Sequence, residues 1–131
     1  MDDCLFCKII KGEIPSYTIY ENEYVKAFLD IGPVSKGHTL IIPKKHFRDI
    51  MDIDLDTLKH IDEAAKLIIP MLKEKLGCDG VTRIQNNEYG QEVKHYHLHL
   101  IPRYEGDNVA FPVNREVADT VQDIFNKFNY I

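Results

Sequence analysis

The chain has 131 residues, of which 44% are hydrophobic and 28% charged, and its formal net charge is −5. This size fits one domain with a buried core, and scattered basic residues argue against an extended nucleic-acid surface while permitting a single nucleotide. No apolar run is as long as a membrane span, and residues 1–4 lack a secretion signal, so we expect no membrane association. Three cysteines, an odd number, suit a reducing compartment, and we expect a cytoplasmic protein.

The first part of the chain predicts a short helix followed by three strands. Residues 4–12 form the candidate helix, which Gly12 would close. Alternating and β-branched residues then predict strands over 18–20, 24–29 and 38–43, separated by turn-forming residues.

Residues 55–76 carry the clearest helical pattern in the sequence. Asp54 is a candidate N-cap and Gly77 a candidate C-cap, and Pro70 predicts a bend or a break in the last turns. Apolar residues at spacings of three and four predict one buried stripe made of Leu55, Leu58, Ile61, Ala65, Ile68 and Leu72.

The second part of the chain predicts a strand pair and a helical tail. The strands are expected over 81–85 and 94–101, joined by a polar loop. The tail, 104–131, carries a candidate helix with one apolar side made of Val117, Val121, Ile124 and Phe128. Consecutive strands with helices between them predict a single α+β domain over residues 1–131, built on an antiparallel sheet.

Three histidines at alternate positions are the most informative feature of the sequence. His95, His97 and His99 should project from one face of a strand, because side chains alternate between the two faces. One histidine on a half-exposed strand would not indicate a function. Three in register place side by side imidazole rings that repel each other when protonated. The pattern therefore favours a reaction centre over ordinary strand alternation.

Imidazole chemistry favours phosphoryl or nucleotidyl transfer at this face. A neutral imidazole is a strong nitrogen nucleophile, and it leaves readily once it carries a phosphoryl group. Alternate side chains on a strand stand about 7 Å apart, so His97 can meet a phosphorus atom while its neighbours donate to the phosphoryl oxygens. Asn86, Gln91 and the backbone near Gly90 offer further neutral donors.

These motifs together resemble the histidine-triad (HIT) family, whose signature is His-x-His-x-His followed by apolar residues. The resemblance covers most of residues 4–103, and its matching segments are 4–10, 28–31, 37–46, 90–93 and 95–101. It is closest to the branch of purine nucleoside phosphoramidases and related nucleotide hydrolases. The resemblance implies a five-stranded antiparallel meander with two main helices, joined into a ten-stranded sheet in a homodimer.

The resemblance also implies residue roles. His97 would attack the α-phosphate of a purine nucleotide and form a covalent nucleotidyl-histidine, with His99 and His38 flanking the phosphate. Asp30 would bind the ribose, and capping a turn is the alternative role. The phosphate or leaving group would contact Asn86, Gln91, Glu92 and Val93. The base pocket would be walled by Leu5, Phe6, Ile9, Ile14, Phe28 and Ile31, for which plain core packing is the alternative.

Two departures from the family pattern affect the loop before the triad. The stretch from Asn86 to Gly90 is shorter than in most relatives. Position 92 is glutamate where several relatives carry serine or threonine to protonate the leaving group. An ionised Glu92 would repel phosphate, and a side chain that points into solvent is the competing interpretation.

A zinc site is predicted at the N-terminus. Cys4 and Cys7 have zinc-ligand spacing, and a structural site needs four ligands. By resemblance to cysteine-bearing members of the family, His46 and His95 would complete the set and pin the N-terminal segment to the catalytic strand. The alternatives are a redox-active or merely buried pair of cysteines.

Four functions stay open from the sequence. The preferred one is a phosphoramidase-like nucleotide hydrolase. The others are a dinucleoside polyphosphate hydrolase, a zinc-stabilised nucleotide-binding regulatory module with little catalysis, and a metallohydrolase whose catalytic zinc is held by all three triad histidines.

Overall fold

A computed structural model describes residues 3–128 and contains one five-stranded antiparallel sheet. The strands are β1 (Thr18–Glu21), β2 (Val25–Leu29), β3 (Thr39–Pro43), β4 (Gly80–Ile84) and β5 (Leu98–Arg103). Their spatial order is β1-β2-β3-β5-β4. The chain crosses from β3 through a helix to the far edge before it returns beside β3, so the order departs from the predicted simple meander.

In the described part of the chain three α-helices accompany the sheet: α1 (Leu5–Ile10), α2 (Leu55–Leu76) and α3 (Val121–Asn126), the last preceded by a short 3-10 helix over Ala118–Thr120. The long helix has the predicted bounds, and it continues through Pro70, so the predicted break is absent. Gly77 ends it with a φ of 69°, a left-handed conformation that glycine adopts without steric penalty. Among residues 3–128 no helix is long and apolar enough to cross a membrane.

The two faces of the sheet carry two separate apolar clusters. One face packs against α2 through Ile61, Ala64, Ala65, Ile68 and Leu72, and β5 contributes Leu98 and Leu100 to that cluster. Leu55, expected in the same stripe, lies at the first residue of α2 and is 81% exposed. The other face packs against α1.

β3 is buried along its whole length because both of its faces are covered. Leu40 and Ile42 pack on the α1 side, whereas Ile41 packs on the α2 side. His99 pairs with Leu40 in the β3–β5 register, and residues directly opposite each other share a face. His99 therefore lies on the α1 side, and Leu98 and Leu100 lie in the core under α2, as the alternation predicted.

Two predicted elements begin later than expected. β5 starts at Leu98 rather than at residue 94, so His95 lies in a bend and His97 in the irregular residues just before the strand. The tail becomes helical only at Ala118, and its apolar side is exposed at Val117, Val121, Ile124 and Phe128.

The packing under α2 gives a stability prediction. Leu100 is fully buried, so Leu100→Ala should lower the free energy of unfolding by about 2–5 kcal/mol, through lost apolar contact and the cavity left behind. Leu55→Ala deletes the same atoms at an exposed position and should change stability by about 0.5 kcal/mol or less. Urea denaturation of both variants checks this, and equal losses would contradict the described burial.

Candidate active site

A cavity of about 750 Å³ opens on the α1 side of the sheet. Most of the predicted site residues line it: Leu5, Phe6, Ile9, Ile14, Phe28, Asp30, Ile31, His38, Asn86, Glu92, Val93, His97 and His99. The apolar wall and the histidines thus meet in one space large enough for a mononucleotide with an attached group.

His97 is held with one unprotonated ring nitrogen. Its Nδ1 lies 2.7 Å from the backbone carbonyl oxygen of His95, which can only accept a hydrogen bond. Nδ1 therefore carries the proton, and Nε2 of the neutral ring keeps its lone pair. Burial lowers the pKa of His97 and so favours the neutral form. The Phe6 ring packs edge-on against it, with ring centroids 5.0 Å apart.

His38 and His99 form a hydrogen-bonded pair whose tautomers are set from the backbone. The Val34 N–H donates to His38 Nδ1 over 3.0 Å, so the neutral His38 ring carries its proton on Nε2. That nitrogen lies 2.9 Å from His99 Nδ1 and donates to it. His99 must then carry its own proton on Nε2, and burial, followed by the neighbouring histidines, lowers its pKa to about 4. His99 is therefore a neutral donor.

Asp30 uses its two oxygens differently. Oδ1 accepts from the Gly32 N–H over 2.8 Å, which is the turn-capping contact considered above. Oδ2 lies 3.7 Å from His38 Nε2 at the wall of the cavity. Turn capping and exposure of the carboxylate to a ligand are thus compatible in this residue.

Of the four residues before the triad that were predicted to contact phosphate or leaving group, three line the cavity and one does not. Asn86, Glu92 and Val93 line it, and Glu92 is exposed at its mouth. Gln91 is buried instead: its amide donates to the Arg48 carbonyl over 2.6 Å, and its oxygen accepts from the Glu88 N–H. The Gln91 side chain thus anchors the loop to the segment after β3 and does not line the cavity, and its contact with phosphate or leaving group stays a prediction.

The four predicted zinc ligands converge beside the cavity. The ligand atoms of Cys4, Cys7, His46 and His95 all lie within 4.8 Å of one another. His95 Nε2 lies 2.9 Å from the Pro43 carbonyl oxygen, so it carries the ring proton and Nδ1 presents its lone pair to the thiols. Two sulfur and two nitrogen donors in such a group fit tetrahedral Zn²⁺.

His95 consequently faces the zinc-ligand group and does not line the cavity, although it belongs to the triad motif. The triad histidines also do not share one metal position. Among residues 3–128 the other group able to hold an ion is Asp30, His38 and His99, and neither group contains His97. A metallohydrolase with all three triad histidines as ligands is therefore not supported.

Some contributors were missed from the sequence. Tyr17 and Val34 line the cavity, and Val34 also sets the His38 tautomer through its backbone N–H. Neither residue belongs to a periodic or chemically marked pattern. A backbone donor leaves no trace in side-chain identity, so no sequence signal pointed to Val34.

Comparisons with known proteins agree with this geometry. Residues 11–106 match the sequence model of the HIT domain. An uncharacterised HIT-like protein of Methanocaldococcus jannaschii is 52% identical over 106 residues, 79% of this chain and 81% of the relative. The adenosine 5′-monophosphoramidase of Saccharomyces cerevisiae is 45% identical over 76% of this chain and 62% of its own length. The adenylylsulfatase of Arabidopsis thaliana is 37% identical over 81% of this chain and 55% of its own length.

Solved structures share the fold over almost the whole chain. A Streptococcus mutans protein superposes with a TM-score of 0.84 and 37% identity, covering 98% of this chain and 87% of that one. A zinc-bound histidine triad family protein of Mycobacterium smegmatis superposes with a TM-score of 0.79 and 33% identity, and the match covers 98% of this chain and 96% of that one. The triad, its cavity and these similarities lead to one assignment: the chain belongs to the histidine-triad (HIT) family.

Proposed function

We propose that this protein is a nucleotide hydrolase that cleaves nucleoside phosphoramidates at the α-phosphate, through a covalent nucleotidyl intermediate on His97. One observation carries the proposal: an unprotonated Nε2 on His97 and a protonated Nε2 on His99 line the same cavity. A nucleophile and a neutral donor are what displacement at phosphorus requires. The yeast relative named as a monophosphoramidase supports the substrate class.

The nucleoside, expected to be a purine, occupies the apolar end of the cavity against Phe6 and Phe28, whose rings pack edge-on on each other with centroids 5.6 Å apart. The Asp30 carboxylate accepts hydrogen bonds from the two vicinal ribose hydroxyls. The α-phosphate then meets His97 and His99.

The reaction proceeds in two displacements at phosphorus. In the first, the bond from His97 Nε2 to phosphorus forms as the phosphorus–nitrogen bond breaks, and the leaving amine takes a proton from water at the cavity mouth. The N–H of His99 stabilises the negative charge that grows on the phosphoryl oxygens. In the second, water attacks phosphorus, the bond to His97 breaks, and a nucleoside monophosphate departs, while the proton released by the attacking water neutralises the hydroxide left by the first displacement. The summed reaction consumes one water molecule.

Zinc is proposed as a structural ion held by Cys4, Cys7, His46 and His95. Bound there, it supplies a fixed crosslink between α1 and the segment that leads into β5. His95 links this site to the reaction, because its ring belongs to the ligand set while its carbonyl oxygen holds the His97 tautomer. The zinc-bound mycobacterial relative supports the assignment.

Turnover of a substrate panel tests the proposal. Adenosine 5′-phosphoramidate should be hydrolysed with a kcat/KM at least about 10-fold above those for adenylyl sulfate and a dinucleoside polyphosphate, a difference of about 1.4 kcal/mol. The Arabidopsis relative makes adenylyl sulfate the strongest competitor. Hydrolysis of none of the three compounds would favour a regulatory nucleotide-binding module. A preference for the dinucleoside polyphosphate would favour a dinucleoside polyphosphate hydrolase.

The role of Asp30 gives a prediction on binding. Asp30→Asn keeps the oxygen that caps the turn but removes the charge that the ribose hydroxyls would meet, so KM should rise about 10-fold or more. A 2′,3′-dideoxy substrate lacks both hydroxyls, and the variant and wild type should then differ little. An equal rise in KM for both substrates would contradict ribose recognition.

We also propose that the active form is a homodimer joined along an edge of the sheet. β4 ends the strand order and is half-buried, and an unpaired edge strand is a ready surface for pairing. Light scattering at micromolar concentration should give twice the mass of the chain. A mass equal to one chain would contradict the dimer without affecting the chemistry at His97.

A further inference from the structure

The charged side chains that line the cavity are all acidic. Asp30 and Glu92 contribute carboxylates, and no lysine or arginine is found among the lining residues within the described part of the chain. His38 and His99 do not compensate, because the Nδ1 of each accepts a hydrogen bond, from the Val34 N–H and from His38 Nε2 respectively, and so carries no proton. A site for an anionic phosphate therefore presents two negative charges and neutral donors.

Glu92 has no ion-pair partner among the side chains of residues 3–128. The cation nearest in sequence, Lys94, donates to the backbone carbonyls of Glu88 and Gln91 over 2.9 and 2.8 Å. Glu92 is exposed at the cavity mouth.

The position of Glu92 follows from what the rest of the cavity holds. The nucleoside takes the apolar wall and Asp30, and the phosphate takes His97 and His99. The remaining polar lining is Ser16 and Tyr17 on one side and the loop segment with Asn86, Gly90 and Glu92 on the other. Among these residues Glu92 alone carries a carboxylate, so a leaving group that departs past the loop would meet it.

We propose that Glu92 is a specificity-determining residue that selects leaving groups carrying a positive charge. The inference rests on the proposed function and narrows its substrate class: nucleoside phosphoramidates of amines that bear a second, cationic group, such as a diamine or a lysine-like side chain. A carboxylate attracts a distal ammonium and repels sulfate or polyphosphate, and at a solvent-exposed position the attraction amounts to about a 5-fold preference.

Three adenosine 5′-phosphoramidates of similar length test this selection. Their amines are butylamine, which is otherwise neutral, 1,4-diaminobutane, which adds a distal ammonium, and 4-aminobutanoate, which adds a distal carboxylate. For the wild type we expect kcat/KM to fall in the order ammonium, neutral, carboxylate, with about a 5-fold step between the first two. The preference should weaken at high salt, because screening acts on exposed charges.

Variants distinguish an effect of Glu92 on substrate preference from an effect of the net charge of the protein. Glu92→Gln should bring the ammonium-to-neutral ratio of kcat/KM close to one, and Glu92→Lys should invert it. Glu74→Gln removes the same charge from an exposed position on α2 outside the cavity lining, and it should keep the wild-type ratio. Thermal melts establish that each variant is folded before ratios are compared.

The possible outcomes are distinct. A wild-type ratio near one with all three compounds hydrolysed overturns the selection but leaves the proposed function standing. A wild-type preference that survives in Glu92→Gln overturns the assignment to this residue. Hydrolysis of none of the compounds overturns the proposed function together with this inference.

Discussion

His97→Ala is expected to lower kcat for phosphoramidate hydrolysis by about 10⁴-fold or more, because it removes the nitrogen that forms the bond to phosphorus. Substrate binding should change far less, since the apolar wall, Asp30 and the His38–His99 pair remain in place. Single-turnover kinetics with a fluorescent phosphoramidate measures the rate. Equilibrium titration with a nucleoside monophosphate measures the affinity.

His60→Ala provides the matched control for that experiment. His60 lies on α2, stacked on Tyr24 with ring centroids 3.6 Å apart, and it is not among the cavity-lining residues. The control should keep wild-type turnover. If His97→Ala retained more than about a hundredth of the wild-type rate, a mechanism without covalent attack by this residue would be required.

Loss of zinc is expected to have the largest effect on stability. A structural zinc site contributes directly to the free energy of folding, and Cys4→Ser removes one of its four ligands. We expect protein purified without chelator to contain one zinc per chain. For Cys4→Ser, or after chelation, the melting temperature should fall by about 10 °C or more, as a loss of a few kcal/mol produces in a domain of this size.

Activity should fall together with stability in that experiment. Cys4 and Cys7 flank Phe6, whose ring contacts both His95 and His97 with centroids 5.9 and 5.0 Å away. Release of the ion would loosen the wall against the nucleophile even in molecules that stay folded. Cys78→Ser is the matched control. Cys78 lies outside the ligand group, so this variant protein should keep its zinc. A zinc-free wild type, or a Cys4→Ser variant with unchanged zinc content, would contradict the site.

Periodicity in the sequence predicted the features that depend on burial of a repeated apolar face. The bounds of α2 follow from its stripe and from the glycine at its end. The alternation around the triad separated His99 from Leu98 and Leu100, because opposite faces of the sheet are buried against different partners. It did not locate the start of β5, because His95 lies in a bend where its ring meets the Pro43 carbonyl, and pairing with β3 begins only at Leu98.

Other parts of the site depend on partners that residue patterns do not reveal. His95 and Gln91 do not line the cavity: His95 Nε2 donates to the Pro43 carbonyl, and the Gln91 amide donates to the Arg48 carbonyl. The tautomer of His38 comes from one backbone N–H. Such contacts are set by the tertiary packing of distant segments, so the sequence predicted which residues meet at the site more readily than how each is oriented.

Rapid quenching of wild-type protein with a nucleoside phosphoramidate, followed by mass spectrometry of its peptides, tests the covalent step most directly. The account predicts one nucleotidyl group per reacting chain, attached to His97, formed and lost at rates compatible with turnover. Efficient hydrolysis without any such adduct, or with the adduct on another residue, would contradict it.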